Sequence, residues 1–289
     1  MRLVSFNIGG RKTFGALVRG GVVDLGARLG GGVRDLGLAI ANGQYVSIAN
    51  ELKGAPADYT ENDIVFDPVI RQPGKILCVG LNYEDHRRET GRPEAKYPAI
   101  FTRFADTQTG HLQPLIKPNR SSQFDYEGEL AVVIGRAGRY IEPRDARGHI
   151  LGYSCYNDAS VRDYQHHTHQ FTPGKNFPGT GAFGPALVTA DEITELGSQR
   201  IQTRLNGQVV QDAALGQMIF SIERLIAYIS EWTLLSPGDV IITGTPGGVG
   251  AKRTPPLFMK HGDEVVVEIE QVGSLSNTVR DEGEREFLS

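Results

Sequence analysis

The sequence predicts a β-dominated α+β protein with few helices. Two observations carry that expectation. Short runs rich in β-branched and aromatic residues, such as RLVSFNI, KILCVGLNY and DEVVVEIEQV, recur along the chain. In addition, 36 glycines and 15 prolines punctuate it into turns. Against this background the segment 221–235 stands out as helical, because Ile222, Leu225, Ile226 and Ile229 share one face.

Composition narrows the class further. With 39% apolar and 22% charged residues, a chain of 289 residues can bury a sizeable core. The formal net charge of −4 and pI near 6.0 leave no basic footprint for nucleic acid. A run of about 18 apolar residues is absent, so no transmembrane helix is expected. The opening MRLVSFNIGGRKTFG lacks the apolar core and cleavage site of a signal peptide. Cys78 and Cys155 are too few for a disulfide framework and suggest a reducing compartment. A cytoplasmic protein is the expectation.

Along the chain, residues 1–68 read as a small N-terminal β-rich domain. RLVSFNI, TFGALV and GVVDLG are strands separated by glycine turns, followed by a helical stretch around VRDLGLAIAN. The segment DPVIRQPGK, with two prolines and a glycine, marks the boundary, and residues 69–289 form the larger domain. This opens on the apolar run KILCVGLNY. NYEDHRRETGRP then reads as a short helix with Asn82 as N-cap, closed by Gly91 and Pro93. SPGDVIITG is a turn feeding a buried strand, and DEVVVEIEQVGSLSNTV is an alternating strand.

Several segments carry residues with chemical potential. In DYEGELAVVIG, Glu127 and Glu129 sit two apart and so share one face of a strand. They either face water on an edge or share a cation, and the pattern alone favours water. Asp158, in CYNDAS, would add a third hard oxygen ligand of the kind that suits Mg²⁺, Mn²⁺ or Ca²⁺. His86 and Glu89 are three apart, so on a helix they can meet, and a carboxylate-oriented imidazole is a workable base. Ordinary solvated helix charges would explain the same residues. Lys175, in TPGKNF, reads as a loop lysine that is either solvated or able to stabilise an enolate or carboxylate.

Other motifs carry less. HHTHQ, with His166, His167 and His169, lacks the partners of a zinc motif. GTGAFG matches G-x-G-x-x-G literally, but it follows KNFP rather than a strand and precedes Pro185 rather than a helix. GTPGGVGAK lacks G-K-[ST] and is a glycine-rich turn whose free N–H groups suit an anion.

Taken in order, CVGLNYEDHRRE, DYEGELAVVIG, GYSCYNDASVRDYQ, GKNF with FGP, RLNGQVVQDA and SPGDVIITGTPGGVG resemble the serial motifs of the fumarylacetoacetate hydrolase family over about residues 70–280. The resemblance implies a mixed β-roll with flanking helices and a homodimer. It implies Glu127, Glu129 and Asp158 as ligands of one divalent cation, Mg²⁺ or Mn²⁺, on which a 2-oxo acid chelates. His86 and Glu89 would be the water-activating dyad on a mobile lid. Lys175 and Gln165 would contact substrate oxygens, and Thr245 with Gly244, in the GTP turn, the ligand carboxylate.

The expected activity is metal-dependent hydrolysis of an acylpyruvate of the fumaryl- or maleylpyruvate type, releasing pyruvate in aromatic-compound catabolism. The alternative is an oxaloacetate or unsaturated oxo-diacid decarboxylase or isomerase using the same enolate chemistry. A third reading is a non-catalytic 2-oxo acid binding protein. One departure bears on the substrate. Where many relatives carry a Lys-Pro pair, this chain has FTRFADTQTGHLQP, with Arg103 in place of the lysine. An arginine facing the pocket would suit a second substrate carboxylate, and a structural arginine is the equal alternative.

Overall fold

The computed structural model describes residues 1–29 and 32–283. Strands dominate, and among the described residues they form two large sheets and a two-stranded pair of Phe124–Asp125 with Ser160–Val161. The larger has eleven strands, and its main path runs Gly21–Asp24, Arg11–Val18, Arg2–Ile8, Gly181–Thr189, Ile150–Asp158, Gly128–Ile134, Val240–Ile242, Ile76–Gly80 and Ala99–Arg103. Most neighbours are antiparallel, but Val240–Ile242 runs parallel to Ile76–Gly80, so the sheet is mixed. The second sheet orders Gln208–Ala214, Arg200–Leu205, Glu264–Ile269, Gly273–Asp281 and Leu115–Lys117.

The strand Gly128–Ile134 is the centre of this arrangement, and every residue in it is buried. Leu130, Val132 and Ile134 face a core shared with Ile201, Val267 and Leu275 of the second sheet. Ala131 and Val133 face the opposite way, into a core with Leu36, Ala39, Ile40 and Ile48. A strand covered on both faces reads as a continuous apolar run rather than an alternating one, which accounts for LAVVI. The glutamates before it lie on the Ala131–Val133 side by the period of two.

The N-terminal strands do not stand apart. Arg2–Ile8 pairs with Gly181–Thr189 in the large sheet, and Leu3, Phe14 and Leu36 share a core with Ile76, Cys78 and Val133. Pro68 and Pro73 do interrupt the chain between strands, but sheet and core continue across that point.

The helices are short. Ile222–Trp232 begins at Ser221, whose Oγ accepts the Arg224 N–H, and buries Leu225, Ile226 and Ile229 as its spacing predicts. The VRDLGLAIAN stretch contains the helix Leu36–Ala41, capped by Asp35. The helix Glu84–Glu89 forms as expected, but its N-cap is Tyr83 and has no side-chain cap bond. Asn82 is instead fully buried, donating to the Phe220 and Thr243 carbonyls and accepting the Phe220 N–H. It ties the helix to the Val240–Ile242 strand end, a long-range task that local spacing does not reveal. GTGAFG leads into the strand Gly181–Thr189 and not into a helix. No helix among the described residues is long and apolar enough to cross a membrane.

Candidate metal and acid–base site

Antiparallel register assembles the carboxylates. Gly128 lies opposite Asn157, so Glu127 meets Asp158 on the neighbouring strand, where the Asp158 N–H donates to the Glu127 carbonyl at 2.8 Å. Glu129 follows two residues on, on the same face. The result is three buried carboxylates, each with an oxygen within 4.8 Å of the others.

Cations hold two of them. Lys175 Nζ lies 2.6 Å from Glu127 Oε2 and 2.6 Å from Asp158 Oδ2. Arg162 Nη1 lies 2.6 Å from Glu127 Oε1, and its Nε donates to Asp125 Oδ2 at 2.8 Å. Arg103 Nη1 donates to Asp158 Oδ1 at 2.5 Å. Glu129 has no cationic partner among the described residues and accepts the Gly244 N–H at 2.5 Å. Gly244 is required there: its φ is +105°, and a Cβ would meet the Asn82 Cβ at 2.6 Å.

The electrostatics follow from this unequal pairing. Burial opposes ionisation of Glu127, but Lys175 and Arg162 outweigh it and lower its pKa to about 2. Burial, then Asp158 and Glu127, push Glu129 well above the usual carboxylate range. Burial likewise opposes the charge of Lys175, yet Asp158 and Glu127 hold its ammonium above the ordinary value.

The donor set fits a divalent cation. Among the described residues, Asp125, Glu127 and Asp158 pair with Arg103, Arg162 and Lys175, so ionising Glu129 leaves the cluster with one negative charge in excess. Each carboxylate oxygen keeps lone pairs beyond those its partners use. Oxygen donors of this kind suit Mg²⁺ or Mn²⁺, and such an ion would relieve the repulsion felt by Glu129.

The acid–base pair lies across a cavity of about 130 Å³ that Glu127, Glu129, Lys175, His86, Gln165 and Thr245 all line. His86 is buried, and its Nδ1 donates to Glu89 Oε1 at 2.7 Å. A carboxylate only accepts, so the proton sits on Nδ1 and Nε2 keeps the lone pair. Glu89 is itself fixed, because its Oε2 accepts the Gly248 N–H at 2.9 Å.

The remaining expected residues divide. Gln165 lies in the cavity wall, its Oε1 accepting from Arg162 at 2.8 Å. Thr245 Oγ1 donates to the Gly128 carbonyl at 3.0 Å and accepts from Gln211 at 2.8 Å, fixing the turn after the strand. Lys175 ends the short helix Thr172–Lys175 and is buried rather than solvated in a loop. Arg103 does not line the cavity. Its guanidinium is spent on Asp158, the Ala159 carbonyl and Thr180, so here it has the structural arrangement and not the substrate-facing one.

Sequence reasoning passed over Arg162 and Asp125. Arg162 lies three residues before Gln165 on one helical turn, a spacing that matches their bond. Asp125 continues the period of Glu127 and Glu129. Its Oδ1 accepts the Gly250 N–H and its Oδ2 the Ala251 N–H, anchoring the glycine-rich loop.

A family model described as "Fumarylacetoacetate (FAA) hydrolase C-terminal" matches residues 75–280. The chain belongs to the fumarylacetoacetate hydrolase family. The family match spans the carboxylates, the His86–Glu89 pair and Lys175 together. Among similar proteins, the mitochondrial oxaloacetate tautomerase FAHD2A of Bos taurus is 39% identical over 268 residues, covering 90% of this chain and 84% of the relative. The oxaloacetate tautomerase YisK of Bacillus subtilis is 41% identical over 226 residues, covering 76% and 75%. The solved fumarylacetoacetate hydrolase of Exiguobacterium antarcticum superposes with a TM-score of 0.86 at 32% identity, covering 98% of this chain and all of the other. The family fold and its enzymatic membership are thereby placed on this chain.

Proposed function

We propose that this protein is a metal-dependent tautomerase of a small 2-oxo diacid, interconverting the enol and keto forms of oxaloacetate. The observation that carries the reading is one cavity lined by His86, Glu127 and Glu129, with Asp158 completing the carboxylate cluster beside it. The Bos taurus and Bacillus subtilis relatives, both named oxaloacetate tautomerases, supply the substrate. This replaces acylpyruvate hydrolysis, the first expectation, with the isomerase branch of the alternative.

When bound at Glu127, Glu129 and Asp158, a divalent cation supplies Lewis-acid polarisation of the 2-oxo group. The protein's own residues do the rest. His86 Nε2 takes a proton from C3 of the keto acid as the C2 oxygen gains negative charge, and the imidazolium then gives that proton up to the oxygen, which completes the enol and restores the base. In the other direction the imidazolium returns the proton to C3. Glu89 holds the ring in position and offsets the imidazolium charge. Lys175 stabilises the charge that develops on oxygen. Gln165 and Thr245, with the Gly244 turn, shape the wall against which the acid lies.

Hydrolysis remains a second reading, because the same His86–Glu89 pair is placed to activate a water against the distal carbonyl of an acylpyruvate. Decarboxylation of oxaloacetate is a third outcome of the same enolate. The cytoplasmic setting stays within the proposal on the strength of two free, buried thiols, Cys78 and Cys155. The homodimer stays there as a family expectation, read directly by sedimentation.

One panel separates the reactions. Purified protein with Mg²⁺ or Mn²⁺ is given enol-oxaloacetate and a set of acylpyruvates, following enol absorbance, CO₂ and pyruvate. The tautomerase reading requires loss of enol absorbance faster than with metal alone, without matching CO₂. Pyruvate released from acylpyruvates at a far higher rate restores the hydrolase. Binding of 2-oxo acids with no turnover in any assay establishes a binding protein.

A further inference from the structure

Arg103, for which a second substrate carboxylate and a structural role were equal expectations, is enclosed with Asp158 and Thr180. The cavity mouth carries positive charge of its own, from Arg92 and Lys252. His166 lines it beside them, and all three are exposed. None of their side chains has a hydrogen-bond or ion-pair partner among the described residues.

Three separate segments bring these side chains together, and each is tied to the site below. Arg92 follows Gly91 at the end of the Glu84–Glu89 helix. Its carbonyl accepts from Arg87 Nη1 at 2.7 Å, and its N–H donates to the Arg87 carbonyl at 3.2 Å. Lys252 closes the turn Gly250–Lys252, which Asp125 holds through two backbone N–H groups. His166 follows the Arg162–Gln165 helical turn, where Arg162 grips Glu127. Partial burial, then the fields of Arg162, Lys252 and Arg92, lower the proton affinity of His166, so it joins the rim as a neutral polar group and Arg92 and Lys252 carry the charge.

The cavity is therefore polarised along its depth. Carboxylates suited to a cation lie at the bottom, and cationic side chains lie at the top. A ligand matched to both ends presents a chelating 2-oxo acid below and an anion above.

We propose that Arg92 and Lys252, with His166, form a subsite for the distal carboxylate of a dicarboxylic 2-oxo acid, and so select diacids over monoacids. The inference rests on the reading of the floor as a 2-oxo acid site. It does not require that the bound acid be tautomerised.

The test is a matched pair, freshly prepared oxaloacetate and 2-oxobutanoate, which differ in the distal carboxylate against a methyl group. Each is titrated calorimetrically into Mn²⁺-loaded protein, for the wild type, Arg92→Met, Lys252→Met and the double variant. The wild type is expected to bind oxaloacetate at least tenfold more tightly than 2-oxobutanoate. The double variant should shrink that ratio at least tenfold, chiefly by weakening oxaloacetate, and added salt should shrink it in the wild type. Both side chains are exposed, so thermal melting should show all variants folded. A ratio unchanged in the double variant, or a wild type without diacid preference, overturns the subsite. If the ratio collapses while no variant or wild type accelerates tautomerisation, the subsite stands and the tautomerase reading falls.

Discussion

Glu127 and Asp158 face each other across adjacent strands, and Lys175 Nζ sits 2.6 Å from an oxygen of each. The ammonium spans the two carboxylates that the register places side by side. It leaves Glu129 as the carboxylate without a cationic partner among the described residues. That asymmetry makes the protein's response to metal, pH and substitution specific enough to predict.

Glu129→Gln should raise the melting temperature of the metal-free protein at neutral pH. The folded pKa of Glu129 lies above its unfolded value. Its contribution is therefore fully present below the unfolded pKa and lost as pH rises through the folded one. At neutral pH the isosteric amide removes that penalty. The same substitution should abolish stabilisation by Mn²⁺, which in the wild type amounts to about 2.7 kcal/mol at a hundredfold excess over Kd. Scanning calorimetry with and without Mn²⁺ reads both effects.

Glu127→Gln should act in the opposite direction. It leaves Arg162 and Lys175 buried with one fewer counter-charge, and breaking such a pair costs about 3–5 kcal/mol. The folded pKa of Glu127 is depressed to about 2. Its contribution is thus present above the unfolded carboxylate pKa and lost as pH falls through about 2. Denaturant melts from pH 5 downward should show a decline in the wild type that the variant lacks in part.

His86→Ala should lower kcat for oxaloacetate tautomerisation by about 10²–10⁴-fold, the usual contribution of a positioned general base. Glu89→Gln should lower kcat with little change in KM. A glutamine can still accept from His86 Nδ1, but its amide then faces the Gly248 N–H that Glu89 accepts at 2.9 Å. Steady-state kinetics with circular dichroism as a fold check reads both.

Gly181→Ala should weaken metal binding through Arg103. A Cβ at residue 181 would lie 2.5 Å from Tyr156 Oη and 2.9 Å from Arg103 Nε and Nη2, so the guanidinium that holds Asp158 must shift. A loss of about 1–3 kcal/mol in stability is expected from overpacking, together with a raised Kd for Mn²⁺ in calorimetric titration. An unchanged Kd would show that Arg103 does not hold Asp158 in its ligand position.

Local pattern revealed what depended on local geometry. The period of two put Glu127 and Glu129 on one face, helical spacing joined His86 to Glu89, and Ile222–Trp232 buried the face its sequence marks. Long-range partners were not legible. Nothing near RLVSFNI announces that Arg2–Ile8 will pair with Gly181–Thr189 and join the main core. Asn82 resembled a cap because residues 82–85 look like a helix start, whereas its partners Phe220 and Thr243 lie far along the chain. Arg162 gave no local signal, and Arg103 could be read equally as substrate-facing or structural, since the carboxylates that claim them come from other strands. Lys175 looked like a loop lysine for the same reason.

The most direct test is proton exchange at C3 of oxaloacetate, followed by NMR in deuterated buffer with Mg²⁺-loaded protein. The account predicts exchange well above the rate with Mg²⁺ alone, abolished by chelation and reduced at least a hundredfold in His86→Ala. Exchange no faster than the protein-free control, or exchange that survives both treatments, would contradict it.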